Sequence, residues 1–120
     1  MMAIETINVG WEFTARDEAT GDVPKNLTEE GHALMQALLS IEAANPAVKD
    51  SAVSIDTGEG LVTFELSATG AGLLGAIEVA LSAIRSAIHT VGGATHDFPT
   101  APEMMDGISF RAGHFEAEPV

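Results

Sequence analysis

The chain has no cysteine, no tyrosine and a single tryptophan, and it sets only five basic residues against eighteen acidic ones. Lack of cysteine excludes disulfides, thiolate nucleophiles and cysteine-ligated zinc or iron–sulfur centres. Such a chain suits a reducing compartment, so a cytoplasmic location is expected. The few cations, Arg16, Lys25, Lys49, Arg85 and Arg111, are scattered along the sequence. Binding to a phosphate backbone or an anionic membrane needs them clustered, which argues against nucleic acid and membrane as partners. Met1 to Glu5 shows neither a basic nor an apolar region of a secretion signal. The longest apolar-rich stretch, Leu73 to Val91, carries Glu78, Arg85 and His89 and is expected to be too polar on one stripe to span a bilayer.

What is present is apolar material: 46% of 120 residues are hydrophobic, enough for one domain with a core that needs no staples. The net charge of −13 keeps such a domain soluble, or prepares it for a basic partner.

The apolar residues are ordered. Glu5 to Ala15 alternates, with Ile7, Val9, Trp11 and Phe13 on one side, and predicts a strand. Thr28 followed by Glu29 and Glu30 predicts a helix start with a hydroxyl cap, and Leu34, Leu38 and Ile41 continue it to Ala44, before Asn45-Pro46. Ser51–Asp56 and Leu61–Ala68 predict two strands of a hairpin joined by Thr57-Gly58-Glu59-Gly60. Their inward positions, Val53, Ile55, Val62, Phe64 and Leu66, are apolar. The outward positions of the three strands are Asn8, Glu12, Ser54, Asp56, Thr63 and Glu65, an acidic open face. Gly70–Val91 predicts a second helix. Its large residues Leu73, Leu74, Ile77, Leu81, Ile84, Ile88 and Val91 are expected on the sheet, and its alanine sector, Ala76, Ala80, Ala83 and Ala87, against the first helix. Ala94–Phe98 is expected to be a fourth strand.

Strand, helix, strand, strand, helix, strand is a ferredoxin-like βαββαβ plait of the α+β class, with both helices on one face of an antiparallel sheet. Residues 1–98 make the domain, and 99–120 a C-terminal tail or arm. The tail's apolar residues Met104, Met105, Ile108, Phe110 and Phe115 are expected to be oligomer contacts, unless they drape over their own domain, and Ile108–Phe110 could add an edge strand.

Candidate chemistry is sparse. His32 and His89 fit solvated helix positions, and His96 and Asp97 are strand neighbours that point apart. His114 and Glu116 share a face if the tail is extended, a single pair and a weak metal signal. Glu12, Asp56 and Glu65 come within reach of each other if their strands are neighbours, but acid–base or cation work needs a cleft that an open sheet lacks. The serines lack nucleophile-elbow glycines, and Gly70-Ala71-Gly72 lacks the rest of a phosphate loop. No catalytic, cofactor or metal residue is therefore assigned.

The alternating first strand, the Ala52–Ala68 hairpin, the alanine-rich Leu73–Val91 helix and the Phe98-Pro99-Thr100 start of the tail resemble small uncharacterised ferredoxin-like proteins of actinobacteria and their phages. The resemblance implies the fold and a non-enzymatic role. The expected function is a small acidic interaction or assembly module, self-associating as a dimer or higher, which engages a basic protein through Glu12, Asp56 and Glu65. Two alternatives stay open, a regulatory or phage-type protein that blocks a basic nucleic-acid-binding surface, and a small-ligand or cation-binding domain. A minor one is a small enzyme using His96 or His114 as its base.

Overall fold

The alternation of Ile7, Val9, Trp11 and Phe13 is realised as a long strand, β1 (Ile4–Asp17), whose odd positions are buried from Ile7 to Ala15. The computed structural model describes residues 3–91, 94–95 and 108–120. After β1 come α1 (Leu27–Ala44), β2 (Val48–Asp56), β3 (Leu61–Ala71), α2 (Gly72–Thr90), β4 (Ala94–Thr95) and β5 (Ile108–Pro119). The strands form one sheet in the order β2-β3-β1-β5-β4. Neighbours among the first four are antiparallel, and β4 lies parallel to β5 at the edge. The fold is α+β, with both helices on the face that buries Ile7, Trp11, Phe13, Val62 and Phe64.

The hairpin forms where the two glycines stand, but the glycines share the work unequally. Gly60 has φ +72° and donates its amide to the Asp56 carbonyl at 2.8 Å. Gly58 is not in the left-handed region. Asp56 supports the turn from within, its Oδ1 accepting the amides of Gly58 and Glu59 at 3.0 Å each.

At α1, Glu29 and Glu30 occupy the first turn, where the positive helix end favours them. The helix begins one residue earlier than expected, at Leu27, and makes no side-chain cap bond. The Thr28 hydroxyl therefore does not cap it. At the other end Asn45 is extended (φ −135°, ψ 103°), as its position before Pro46 requires.

Two strands change phase. Val48 and Val53 are five residues apart and would face opposite ways in a regular strand. Between Lys49 and Ala52, β2 advances three residues while β3 advances two, and Asp50 takes φ +55°. This bulge returns both valines to the core side. In β5, Trp11 pairs with Phe115 and Phe13 with Ala112, so an extra residue at Gly113–His114 keeps Phe110, Ala112, Phe115 and Ala117 on the inner face.

The region after Phe98 therefore contributes more than a short edge strand. The described part, β5, runs alongside β1 from Ile7–Pro119 to Asp17–Ile108 in the interior of the sheet. Phe110 is fully buried, and Phe115 stands edge-on to Trp11 with ring centroids 5.8 Å apart. These two side chains serve their own core, which corrects their assignment as oligomer contacts. Met104, Met105 and the side chain of Ile108 lie outside the described residues, as do His96, Asp97 and Phe98.

The packing of α2 also differs from expectation. Its buried residues are Ala76, Ala80, Ala83, Ile84, Ala87 and Ile88, while Leu73 and Leu74 are 50% and 68% exposed. The alanine sector turns into the core because small side chains let the helix backbone lie close to β3 and β1. By length and mean hydropathy (1.3) α2 is the one helix among the described residues that is long and apolar enough to cross a membrane, and its buried face packs on this sheet. Leu81 is only half-buried. Leu81→Ala is thus expected to cost about 1–2 kcal/mol, short of the 2–5 kcal/mol of a fully buried leucine. Chemical denaturation measures the difference; a cost at the upper figure would put Leu81 in the core.

Candidate functional site

The face opposite the helices is uncovered by any described element and collects the carboxylates. Reading across the sheet, Glu65 on β3 pairs with Gly10 on β1, which pairs with Glu116 on β5. One row along, Glu12 pairs with Thr63, and on the other side Asn8 pairs with Ser67 and Glu118. All these side chains point outward because their neighbours Val9, Trp11, Phe64, Leu66, Phe115 and Ala117 point in.

Gly10 gives the face its shape. With no side chain between Glu65 and Glu116, whose strands lie about 10 Å apart, the sheet surface dips. The dip is a shallow trough of about 210 Å³ lined by Gly10, Glu12, Thr63, Glu65, His114 and Glu116. It continues into a second of about 170 Å³ bordered by Asn8, Glu65, Glu116 and Glu118. Glu65, Glu116 and Glu118 are exposed and Glu12 is half-buried. The Ser67 hydroxyl donates to Asn8 Oδ1 at 2.7 Å, which holds that corner in place.

His114 and Glu116 do share a face, and Nε2 lies 2.8 Å from Glu116 Oε1. Both side chains are about two-thirds exposed (69% and 66%), so the pair is a surface contact worth little by itself. Among the described residues no three or more His, Asp or Glu are grouped to hold a metal ion.

Of the three acids expected to act together, Glu12 and Glu65 lie diagonally across the β1–β3 pair. Asp56 does not join them. It sits at the far end of β2, and its carboxylate is committed to the turn amides. In its place the structure brings Glu116 and Glu118 from β5. The signal for them is in the sequence, since Phe115-Glu116-Ala117-Glu118 alternates, but reading 99–120 as a tail concealed it.

Of the remaining histidines, His32 is exposed and His89 half-buried on the polar stripe of α2. That stripe borders a groove of about 250 Å³ with Glu78, Ser82, Arg85 and Ser86. Arg85 stacks its guanidinium 5.8 Å from the centre of the Trp11 ring, and Trp11 itself is 6% exposed and belongs to the core.

The acidic face can accept hydrogen bonds and ion pairs from a cationic surface. It lacks the enclosed, dry setting on which acid–base chemistry draws. No protein-family model and no curated protein matches the chain.

Proposed function

We propose that this chain is a small interaction module of ferredoxin-like βαββαβ type, in which β5 takes the plait position beside β1. Its acidic outer face receives a basic protein surface. One observation carries the reading: Glu12, Glu65, Glu116 and Glu118 stand on three adjacent strands around a dip, on a face left open by every described element. Spread over a flat sheet, these charges match an extended basic surface better than a point cation, which needs ligands converging within a few ångströms. A nucleic-acid-binding protein whose basic site is occupied this way is the regulatory form of the same reading.

The experiment is paired affinity capture with the wild-type chain and with Glu12→Lys/Glu65→Lys/Glu116→Lys. The fold should persist, because all three positions face outward. Basic proteins held by the wild type should be lost from the variant. Partners that are neutral or acidic, or retained equally by both baits, would contradict the proposal.

A second reading, self-association, has its own observation in the free edge at β2.

A further inference from the structure

The two edges of the sheet are unequal. At one, β4 has only two residues. At the other, β2 has nine, and among the described residues no strand lies on its outer side. A free edge offers a row of backbone donors and acceptors to another strand.

Beside that edge lies an apolar helix flank. In α1, Ile41 faces α2, where it lines a groove with Val79 and Ala83. At 100° per residue, Met35 and Leu39 lie 120° and 160° away from Ile41, on the flank turned from α2. Glu42, on the same flank as Met35, reaches down to accept the Ser51 amide at 3.2 Å, which places the flank above β2. There Leu39 is 44% exposed, and Met35, Val53 and Ile55 are half-buried.

We propose that this edge pairs with the same edge of a second copy, antiparallel about a two-fold axis at Val53, making one continuous sheet with the two α1 flanks side by side above it. The inference rests on the assembly-module reading and names the surface that such assembly uses.

The register follows from the side chains. Opposed residues of an antiparallel pair must face the same side of the sheet. With Val53 opposite its own copy, Ala52 meets Ser54, and the Asp50–Ser51 bulge meets Ile55. Lys49 then comes opposite Asp56, twice by symmetry. Small residues meet around the centre, opposite charges meet at both ends, and on the helix side Val53 meets its own copy while Ile55 lies over the bulge. A register centred at Ser54 instead would place Ala52 against Asp56 and leave Lys49 without an acid. The bulge and Lys49 guard this edge against indiscriminate pairing, and the two-fold register gives Lys49 an acid to meet.

The chain has no cysteine, so a single introduced one reports cleanly. Under mild oxidation of the full chain, Val53→Cys should form a disulfide-linked dimer, because residues directly opposed across an antiparallel pair lie within disulfide reach. Glu18→Cys, on an exposed loop, should not. In sedimentation equilibrium, Lys49→Glu should weaken the dimer about tenfold, since it turns two attractive pairs into repulsive ones. Adding Asp56→Asn, which keeps the Oδ1 acceptor of the turn, should recover part of that loss. A wild-type monomer at the highest soluble concentration overturns self-association itself. A dimer that forms but is not trapped by Val53→Cys, or is indifferent to Lys49→Glu, overturns this edge while leaving an assembly role standing. Neither result touches the basic-partner reading, which has its own test.

Discussion

Phe110→Ala should lower the stability of the isolated chain by about 3–5 kcal/mol, the cost of emptying a fully buried phenylalanine site. Phe110 has no exposed surface and stands opposite Ala15, which is equally buried. Against a total stability of about 5–15 kcal/mol, such a loss is severe, and Tm should fall by roughly 10–20 °C. Truncation acts on the same packing. Removing residues 102–120 takes away β5, the antiparallel neighbour of β1 from Ile7 to Asp17, and strips Phe115 from Trp11. The truncated chain should aggregate or unfold and not yield a folded, lower-mass species. An unchanged Tm for Phe110→Ala would return this segment to the role of an arm.

Gly70→Ala should cost about 3 kcal/mol although it adds one methyl group. A Cβ at Gly70 would lie 2.4 Å from Ala76 N, 2.4 Å from Gly75 C and 2.7 Å from Gly75 O. These are backbone atoms of the first turns of α2 and cannot swing aside, so the helix must lift from β3. Gly70→Val should prevent folding. Gly75→Ala, five residues on and inside α2, is the control. Its nearest neighbour would be at 3.6 Å, an ordinary contact, so the helix gains about 0.5–1 kcal/mol from the better helix former. Denaturant midpoints of the two variants should therefore move in opposite directions. If both alanines are tolerated alike, the close approach of α2 to β3 is not what packs the alanine sector inward.

That contact explains why the sequence misdirects at α2. Ranked by hydrophobicity, Leu73, Leu74 and Leu81 outweigh any alanine, and the natural reading buries them. Burial is decided by how near the helix axis lies, and the Gly70 contact brings it near enough that only Ala76, Ala80, Ala83 and Ala87, with Ile84 and Ile88, fit beneath. Periodicity shows which residues share a face but not how far that face stands from its neighbour.

The strands divide along a similar line. β1 and β3 are legible because their alternation is unbroken. The Val48 end of β2 and the whole of β5 are interrupted by bulges at Asp50–Ser51 and Gly113–His114 that shift the period by one residue. A period-two pattern cannot be followed across such a shift without the partner strand. Glu116 and Glu118 fall beyond the bulge, where only the short alternation Phe115-Glu116-Ala117-Glu118 marks them. Glu12 and Glu65 lie on unbroken strands and were visible. Parity places Asp56 on the face but does not reveal that the turn claims its carboxylate.

The acidic face as a docking surface is the central claim, and the association rate with a captured partner tests it most directly. Charges that steer encounter act over a screening length of about 10 Å at 0.1 M salt and fade as salt rises. For the wild type, stopped-flow association should slow about 10–100-fold between low and high ionic strength. For Glu12→Lys/Glu65→Lys/Glu116→Lys the rate at low salt should already be near the wild-type high-salt value and change little with salt. Equal rates and equal salt slopes for the two proteins would contradict the claim and leave the outer face of the sheet a solubilising surface.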